Sequence, residues 1–226
     1  MWESFTRTDV LAILATLVAA FAGAWAAFLF ESVRRSYEEI AKNCAAANRA
    51  LYTIFNMWNI MVQFEQDIVE PAENLPAPWL NMPTTIPYQY GLTTFDAVGL
   101  AFLLDGESAD LYARIMMEEQ RFAGTVRLIE ARTHLMLENV HPGMGAAGVR
   151  VGSRITEEQA ERIIGLDVSH RLQSMVPEIS KQVRSNIASL ITAHDDLRAE
   201  MKVRHPKRKF VRVLPKNNEE GTKNAA

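Results

Sequence analysis

Residues 10–30 read VLAILATLVAAFAGAWAAFLF, an apolar stretch of 21 residues around which the rest of the chain is organised. It contains no charged residue and no Pro, Asn or Gln. An α-helix of this length rises about 30 Å, which matches the hydrocarbon thickness of a bilayer. We therefore predict a short N-terminal segment, 1–9, followed by a transmembrane helix over 10–30 that contacts the lipid bilayer.

A cleaved signal peptide is the alternative interpretation, because Ala24-Trp25-Ala26 fits the small-x-small rule of a cleavage site. Residues 1–9, however, carry a single basic residue, Arg7, which two acidic residues oppose. The apolar run also exceeds the usual length of a signal-peptide core and continues past the cleavage site to Phe30. These features favour a retained anchor.

Basic residues predict the orientation of the anchor in an inner or plasma membrane. One precedes the apolar run and four follow it closely, namely Arg34, Arg35, Lys42 and Arg49. The positive-inside rule then places the N-terminus outside and the C-terminal body in the cytoplasm. The only cysteine, Cys44, is consistent with a reducing compartment, where paired cysteines are rare.

The segment after the anchor has the clearest periodicity in the chain. Apolar residues recur in steps of four and three at Val33, Tyr37, Ile40, Cys44, Ala47, Leu51, Ile54, Trp58 and Met61. Such a heptad seam is typical of coiled-coil-like packing. The sequence predicts a stalk helix over 31–70 that continues the transmembrane helix and ends before Pro71, because proline disfavours the α conformation in the preceding residue.

Five prolines punctuate the next segment, 71–106, which we expect to be a Pro-rich loop followed by a short helix at about 94–104. The rest of the bundle, 107–204, contains two long apolar stripes. These predict helices over 108–140 and 167–204, and Pro177 should kink the second or mark its start. Thr156 and Gln159 form the pattern of a capping box, which predicts a short helix between the two long helices.

The predicted fold class is therefore all-α: a single N-terminal transmembrane helix continues into a long stalk helix and an elongated antiparallel three-helix, coiled-coil-like cytoplasmic bundle. If the second long helix returns toward the membrane and the third leaves it again, the Pro-rich loop and the C-terminal tail share the far end. The candidate partner-binding residues at that end are Trp79, Tyr88, Tyr90, Lys207, Arg208 and Lys209. Aromatic and basic residues are enriched in binding hot spots.

The segment 205–226 is predicted to be a basic tail with a disordered C-terminus. Seven basic residues and no acidic residue lie between 202 and 216, although the whole chain has a net charge of −3. Three partners fit such a run: an acidic cluster at 65–73 of this chain or a neighbouring copy, anionic lipid, or nucleic acid. We expect the acidic cluster, and rank lipid and nucleic acid below it.

The anchor carries a stripe of small residues, Ala15, Ala19, Gly23 and Ala27, which are the candidate transmembrane packing positions. Small residues allow close approach of helix backbones in lipid, and the stripe together with the heptad seam favours a homo-oligomer. The same seam could instead be buried inside the bundle of one chain.

No catalytic, cofactor-binding or metal-binding residue is predicted. Helical bundles hold metals with Glu-x-x-His pairs, and Glu138 with His141 and Asp167 with His170 have a related spacing. Both pairs fall at predicted helix ends, and no inward carboxylate stands on two further helices. The sequence therefore favours a membrane-tethered helical scaffold or adaptor for a cytoplasmic protein partner. The alternative is a bundle enzyme or binding protein with a carboxylate/His metal site.

Overall fold

The structure, a computed structural model, describes the backbone of residues 7–85, 93–105, 108–150 and 155–212, and side chains from Leu14 onward. The described chain is mostly helical and contains no β-strand. It divides into two compact units, 1–45 and 46–226, and the division falls inside the predicted stalk.

Seven α-helices make up the described chain. They are α1 (Arg7–Phe64), α2 (Glu70–Glu73), α3 (Pro78–Asn81), α4 (Ala109–Leu135), α5 (His141–Ala146), α6 (Glu157–Ile164) and α7 (Leu166–Arg204). Two π-helical turns, Glu65–Val69 and Met136–Val140, connect α1 to α2 and α4 to α5, and a 3₁₀ turn spans Ala101–Leu104.

The first unit is the N-terminal part of α1. Every residue from Leu14 to Phe30 is exposed, including Phe21 and Phe28 at 69% and 68%. Directly after this run, Glu31 pairs with Arg34 and Arg35 on the helix surface. Among the described helices, this one is long and apolar enough to cross a membrane, although a signal sequence or a core helix would meet the same criteria of length and composition.

The helical paths of α1 and α4 each continue through a proline by means of a π-helical turn. We predicted that the stalk would end at Glu70 and the second long helix at Val140, and both predictions are wrong. Glu65–Val69 precedes Pro71, and Met136–Val140 precedes Pro142, so helix resumes in α2 and α5. A π turn moves the backbone hydrogen bond from residue i−4 to residue i−5, which relieves the clash of the proline ring with the carbonyl at i−4.

The second unit has a core made from the predicted stripes. Leu51, Ile54 and Met57 of α1 are fully buried. The stripe of α4 is buried throughout, at Leu111, Ile115, Phe122, Val126, Ile129 and, in the π turn that follows, Met136. The stripe of α7 is buried at Leu172, Val176, Ile179, Val183, Leu190, His194, Leu197 and Met201. The bounds of α6 and α7 and the capping box of Thr156 and Gln159 are confirmed.

Helix α7 runs opposite to both of its long neighbours in this unit. Against α4, Arg114 pairs with Asp196 at 2.7 Å, and Thr125 accepts a hydrogen bond from Asn186 at 2.6 Å. Glu65, in the π turn that follows α1, pairs with Arg184 of α7 at 2.9 Å. Asn48 of α1 accepts a hydrogen bond at 3.1 Å from the N–H of Val211, which follows α7.

It follows that residues 46–64 of α1 and helix α4 point the same way, so the predicted return of the second long helix is wrong. The returning element is instead the connection between α3 and α4. Its Pro83 carbonyl meets Arg132 near the end of α4, whereas its Phe95 N–H meets Glu119 near the start. Within this connection the helix predicted at 94–104 is reduced to the 3₁₀ turn. The proline-containing end of the body and the basic tail consequently lie at opposite ends of the second unit.

Candidate functional site

A groove of about 250 Å³ lies where α3 crosses the first half of α7. Its walls are mainly apolar, and a few polar groups stand among them. The lining residues are Glu73, Pro78, Trp79, Gln173, Val176, Pro177 and Ser180. A concave apolar surface with a few polar groups is the usual form of a binding site.

The local sequence builds one wall of this groove by a sharp turn into α3. Ala77 has a left-handed φ of 48°, which is uncommon for a residue with a side chain. Pro78 then starts α3, where its missing N–H costs no hydrogen bond. The side chain of Asn81 donates to the Pro76 carbonyl at 2.6 Å and ties the turn together. The result is that Trp79 points into the body and is only 5% exposed.

A buried guanidinium holds the same turn from the other side. Arg132 of α4 is 2% exposed and donates to the carbonyls of Met82, Pro83 and Trp79 at 2.5, 3.2 and 3.4 Å. Burial lowers its pKa to about 10, so the group remains charged at neutral pH. A cation buried among backbone carbonyls fixes the position of α3 and hence of Trp79.

Three polar groups at the groove are short of hydrogen-bond partners. The indole Nε1 of Trp79 and the hydroxyl of Ser180 are buried and have no partner among the described residues. Pro177 has no N–H, so the carbonyl of Gln173 does not receive the usual helical hydrogen bond from the residue four positions later. Burying an unpaired donor costs about 1–3 kcal/mol, which a ligand acceptor would recover if α3 shifted to expose the indole N–H.

The polar rim of the groove is negatively charged. Arg184 binds Glu73 at 2.8 Å and Glu65 at 2.9 Å. This contact lowers the pKa of Glu73 against a smaller effect of burial, and it raises the pKa of Arg184. The carboxylate is therefore ionised at neutral pH. The arrangement suits binding of an apolar group next to a polar one.

The other predicted partner-binding residues do not join this groove. Tyr88 and Tyr90 lie outside the described residues. Lys207, Arg208 and Lys209 are exposed at the opposite end of the second unit. The predicted pairing of the tail with the acidic cluster of the same chain is also wrong, because Glu65 and Glu73 are held by Arg184.

The described part of the tail folds back onto the body after α7. Phe210 is 6% exposed, and the Val211 N–H donates to Asn48. The positive charge of Arg212 is close enough to contribute to the lowered pKa of His194. The tail thus docks as an extended segment beside α1 and α7.

His194 itself is fully buried, and its Nε2 has no partner. Burial lowers its pKa, opposed by Asp195 at 3.2 Å and assisted by Arg198 and Arg212. Below about pH 6.5 the unfolded chain binds a proton that folded His194 does not, so acidification should destabilise the body by up to about 1.4 kcal/mol per pH unit.

We expect the free energy of unfolding of the detergent-solubilised protein to fall between pH 7.5 and 5.5, and His194→Leu to remove part of that fall. Urea unfolding at the two pH values measures it. His170→Leu, at an exposed position of the same helix, is the control and should keep the full fall. Equal pH dependence in both variants would contradict the assignment to His194.

The structure also contains a buried polar layer between α4 and α7 that sequence reasoning missed. Glu118 is 5% exposed and accepts hydrogen bonds from Ser189 at 2.6 Å and Arg121 at 3.1 Å. Thr125 is 1% exposed and bonds to Asn186. The signal was present, because Leu111, Ile115, Glu118, Phe122, Thr125, Ile129, Arg132 and Met136 follow alternating steps of four and three. Polar residues on such a seam predict a buried network.

The carboxylate and imidazole groups considered for a metal do not gather. Glu138 is exposed and lies 3.3 Å from His134, one helical turn away. Across the described residues, no group of three or more His, Cys, Asp or Glu side chains is arranged to hold a metal ion.

The small residues of the apolar helix lie on an exposed surface of the chain. Ala15, Ala19, Gly23 and Ala27 are all exposed. A Cβ added to Gly23 would meet nothing within 4 Å. A second helix could approach closely at this stripe.

Comparison of the chain with protein-family models, with curated proteins and with solved structures finds no match.

Proposed function

We propose that this protein is a membrane-tethered helical scaffold that binds a cytoplasmic protein partner in the groove between α3 and α7. The observation that carries the proposal is the buried, unpartnered indole N–H of Trp79 in a mainly apolar groove. The groove suits a segment of a partner protein that inserts an apolar side chain and places a backbone carbonyl on the indole.

The tether is residues 10–30, inserted as a single-pass helix with its N-terminus outside. The exposure of every residue from Leu14 to Phe30 supports it, because a soluble protein rarely leaves so long an apolar surface uncovered. The basic residues that follow the run support the cytoplasmic placement of the body. A homo-oligomer through the small-residue stripe is compatible with this arrangement.

The test is a crosslinked pull-down from detergent-solubilised membranes with native protein and two variants. Trp79→Phe keeps the aromatic packing and removes the N–H, so recovery of the partner should fall roughly five- to tenfold, the equivalent of one hydrogen bond. The stability of the free protein should change little, because the smaller ring loses contacts while an unpaired donor disappears.

Trp58→Phe is the matched control. Its Nε1 is also buried without a partner, but Trp58 does not line the groove. A captured protein supports the proposal only if its recovery depends on Trp79 and not on Trp58. Equal recovery with both variants would overturn the groove as the binding site, and stoichiometric bound metal without a partner would favour the metal-site alternative.

A further inference from the structure

The end of the body opposite the groove carries a turn of basic residues that the scaffold function does not use. After α7, the Arg208 N–H donates to the His205 carbonyl at 3.0 Å and closes a reversal of the chain. We propose that Lys202, Lys207, Arg208 and Lys209, called here the basic turn, form a contact surface for the headgroups of anionic phospholipids. The inference rests on the proposed membrane tether.

The basic turn is held in place on both sides. Before it, Arg204 donates to the carbonyls of Phe102 and Asp105 at 3.0 and 3.2 Å and to the Ser108 hydroxyl at 2.8 Å. After it, Phe210 is buried and Val211 bonds to Asn48. The four cations are therefore presented by a folded segment, which loses little conformational entropy on binding.

The charges of the basic turn are not neutralised by the described parts of this chain. None of its four side chains has an ion pair there, and all four residues are exposed. The acidic residues on the adjoining helix are already engaged: Glu200 binds Arg204 at 2.6 Å, Asp196 binds Arg114, and Asp195 lies beside His194. The turn thus keeps its full positive charge for an external anion.

The basic turn lies close in sequence to the apolar run through the residue on which the tail docks. The tail docks at Asn48, only 18 residues after Phe30, and Arg34, Arg35 and Lys42 lie between them. Basic clusters beside a membrane-spanning helix bind anionic lipid of the cytoplasmic leaflet.

The observations favour lipid over nucleic acid. Proteins that bind single strands combine cations with exposed aromatic side chains on which bases stack. Phe210, the aromatic residue next to the turn, is buried instead. Cations without a stacking surface suit phosphate groups spread over a plane.

The test uses the full chain in nanodiscs of phosphatidylcholine alone or with 30% phosphatidylserine. A polarity-sensitive dye is attached at Val203→Cys, a position 79% exposed, in a Cys44→Ala background, and lipid-borne quenchers report its contact with the surface. We expect at least about threefold more quenching with phosphatidylserine in 0.15 M salt, and loss of the difference in 1 M salt.

The triple variant Lys207→Gln, Arg208→Gln, Lys209→Gln should reduce quenching to the phosphatidylcholine level. The matched control removes the same charge at exposed positions of α6 and the first half of α7, by Arg162→Gln, Arg171→Gln and Lys181→Gln. It should behave like the native protein.

Quenching that does not depend on phosphatidylserine would overturn the inference. So would an equal dye response in phosphatidylcholine discs to 10 mM inorganic phosphate or to single-stranded RNA, since the site would then take a free anion or nucleic acid. Failure of the chain to enter discs would refute the membrane tether of the proposed function. Flotation of the same protein with phosphatidylserine vesicles would still decide whether the turn binds the lipid.

Discussion

Replacing Arg132 by methionine is expected to lower the free energy of unfolding by about 3 kcal/mol. The three hydrogen bonds from its guanidinium to the 79–83 turn are charge-assisted, and such bonds contribute about 1.5–3 kcal/mol each. Removing the charge also removes its desolvation cost. Burial lowers the pKa of Arg132 to about 10, which sets that cost at about 3 kcal/mol, roughly half of what the bonds provide. The loss of the hydrogen bonds outweighs the recovered desolvation cost, because methionine leaves the carbonyls buried and unpaired.

The measurement is urea unfolding in detergent, followed by hydrogen exchange of residues 78–85. Arg127→Met, at an exposed position of the same helix, is the control and should change stability by less than about 0.5 kcal/mol. Faster exchange confined to residues 78–85 would show that α3 loosens first. If the two variants are equally stable, Arg132 does not hold the turn.

Deleting residues 10–30 is expected to move the protein completely from the membrane fraction to the soluble fraction. These residues supply the long exposed apolar surface of the described chain, and nothing else described is long and apolar enough to span a bilayer. Resistance of the native protein to extraction by alkaline carbonate, and loss of that resistance in the deletion variant, measure the effect.

Truncation after Arg212 is the control and should leave the protein in the membrane. Intact mass of the native protein separates an anchor from a signal peptide. A retained anchor keeps Phe30 and everything before it, whereas cleavage after Ala26 would give a soluble chain that starts at Ala27. A soluble, shortened native protein would contradict the proposed tether.

The sequence predicted those parts of the fold that depend on one helix at a time. The stripes of α4 and α7, the bounds of α7 and the cap at Thr156 follow from hydrophobic periodicity and local hydrogen bonding, and the structure confirms them. The direction of α4 could not be read in this way, because a periodic stripe is the same in either direction. It depends on the path of the connection after α3, which local patterns do not record.

The candidate site shows the same limit. Trp79 was predicted as a partner-binding residue at the far end of the bundle, but a positive φ at Ala77 and a distant Arg132 turn it inward. Neither feature has a sequence signal near Trp79. Arg132 itself was recognisable from its place on a heptad seam, where a charged residue must be paired or hydrogen-bonded.

The hydrogen bond between Val211 and Asn48 joins positions 163 residues apart, and α7 packs along α4, which is synthesised well before it. Contacts of such long separation close late in folding. During synthesis, therefore, Leu51, Ile54 and Met57 emerge from the ribosome long before the rest of the second unit exists to bury them. The apolar surface of the nascent body therefore stays uncovered until almost the whole chain has been made. In that interval it depends on chaperones or on the translocation machinery for protection from aggregation.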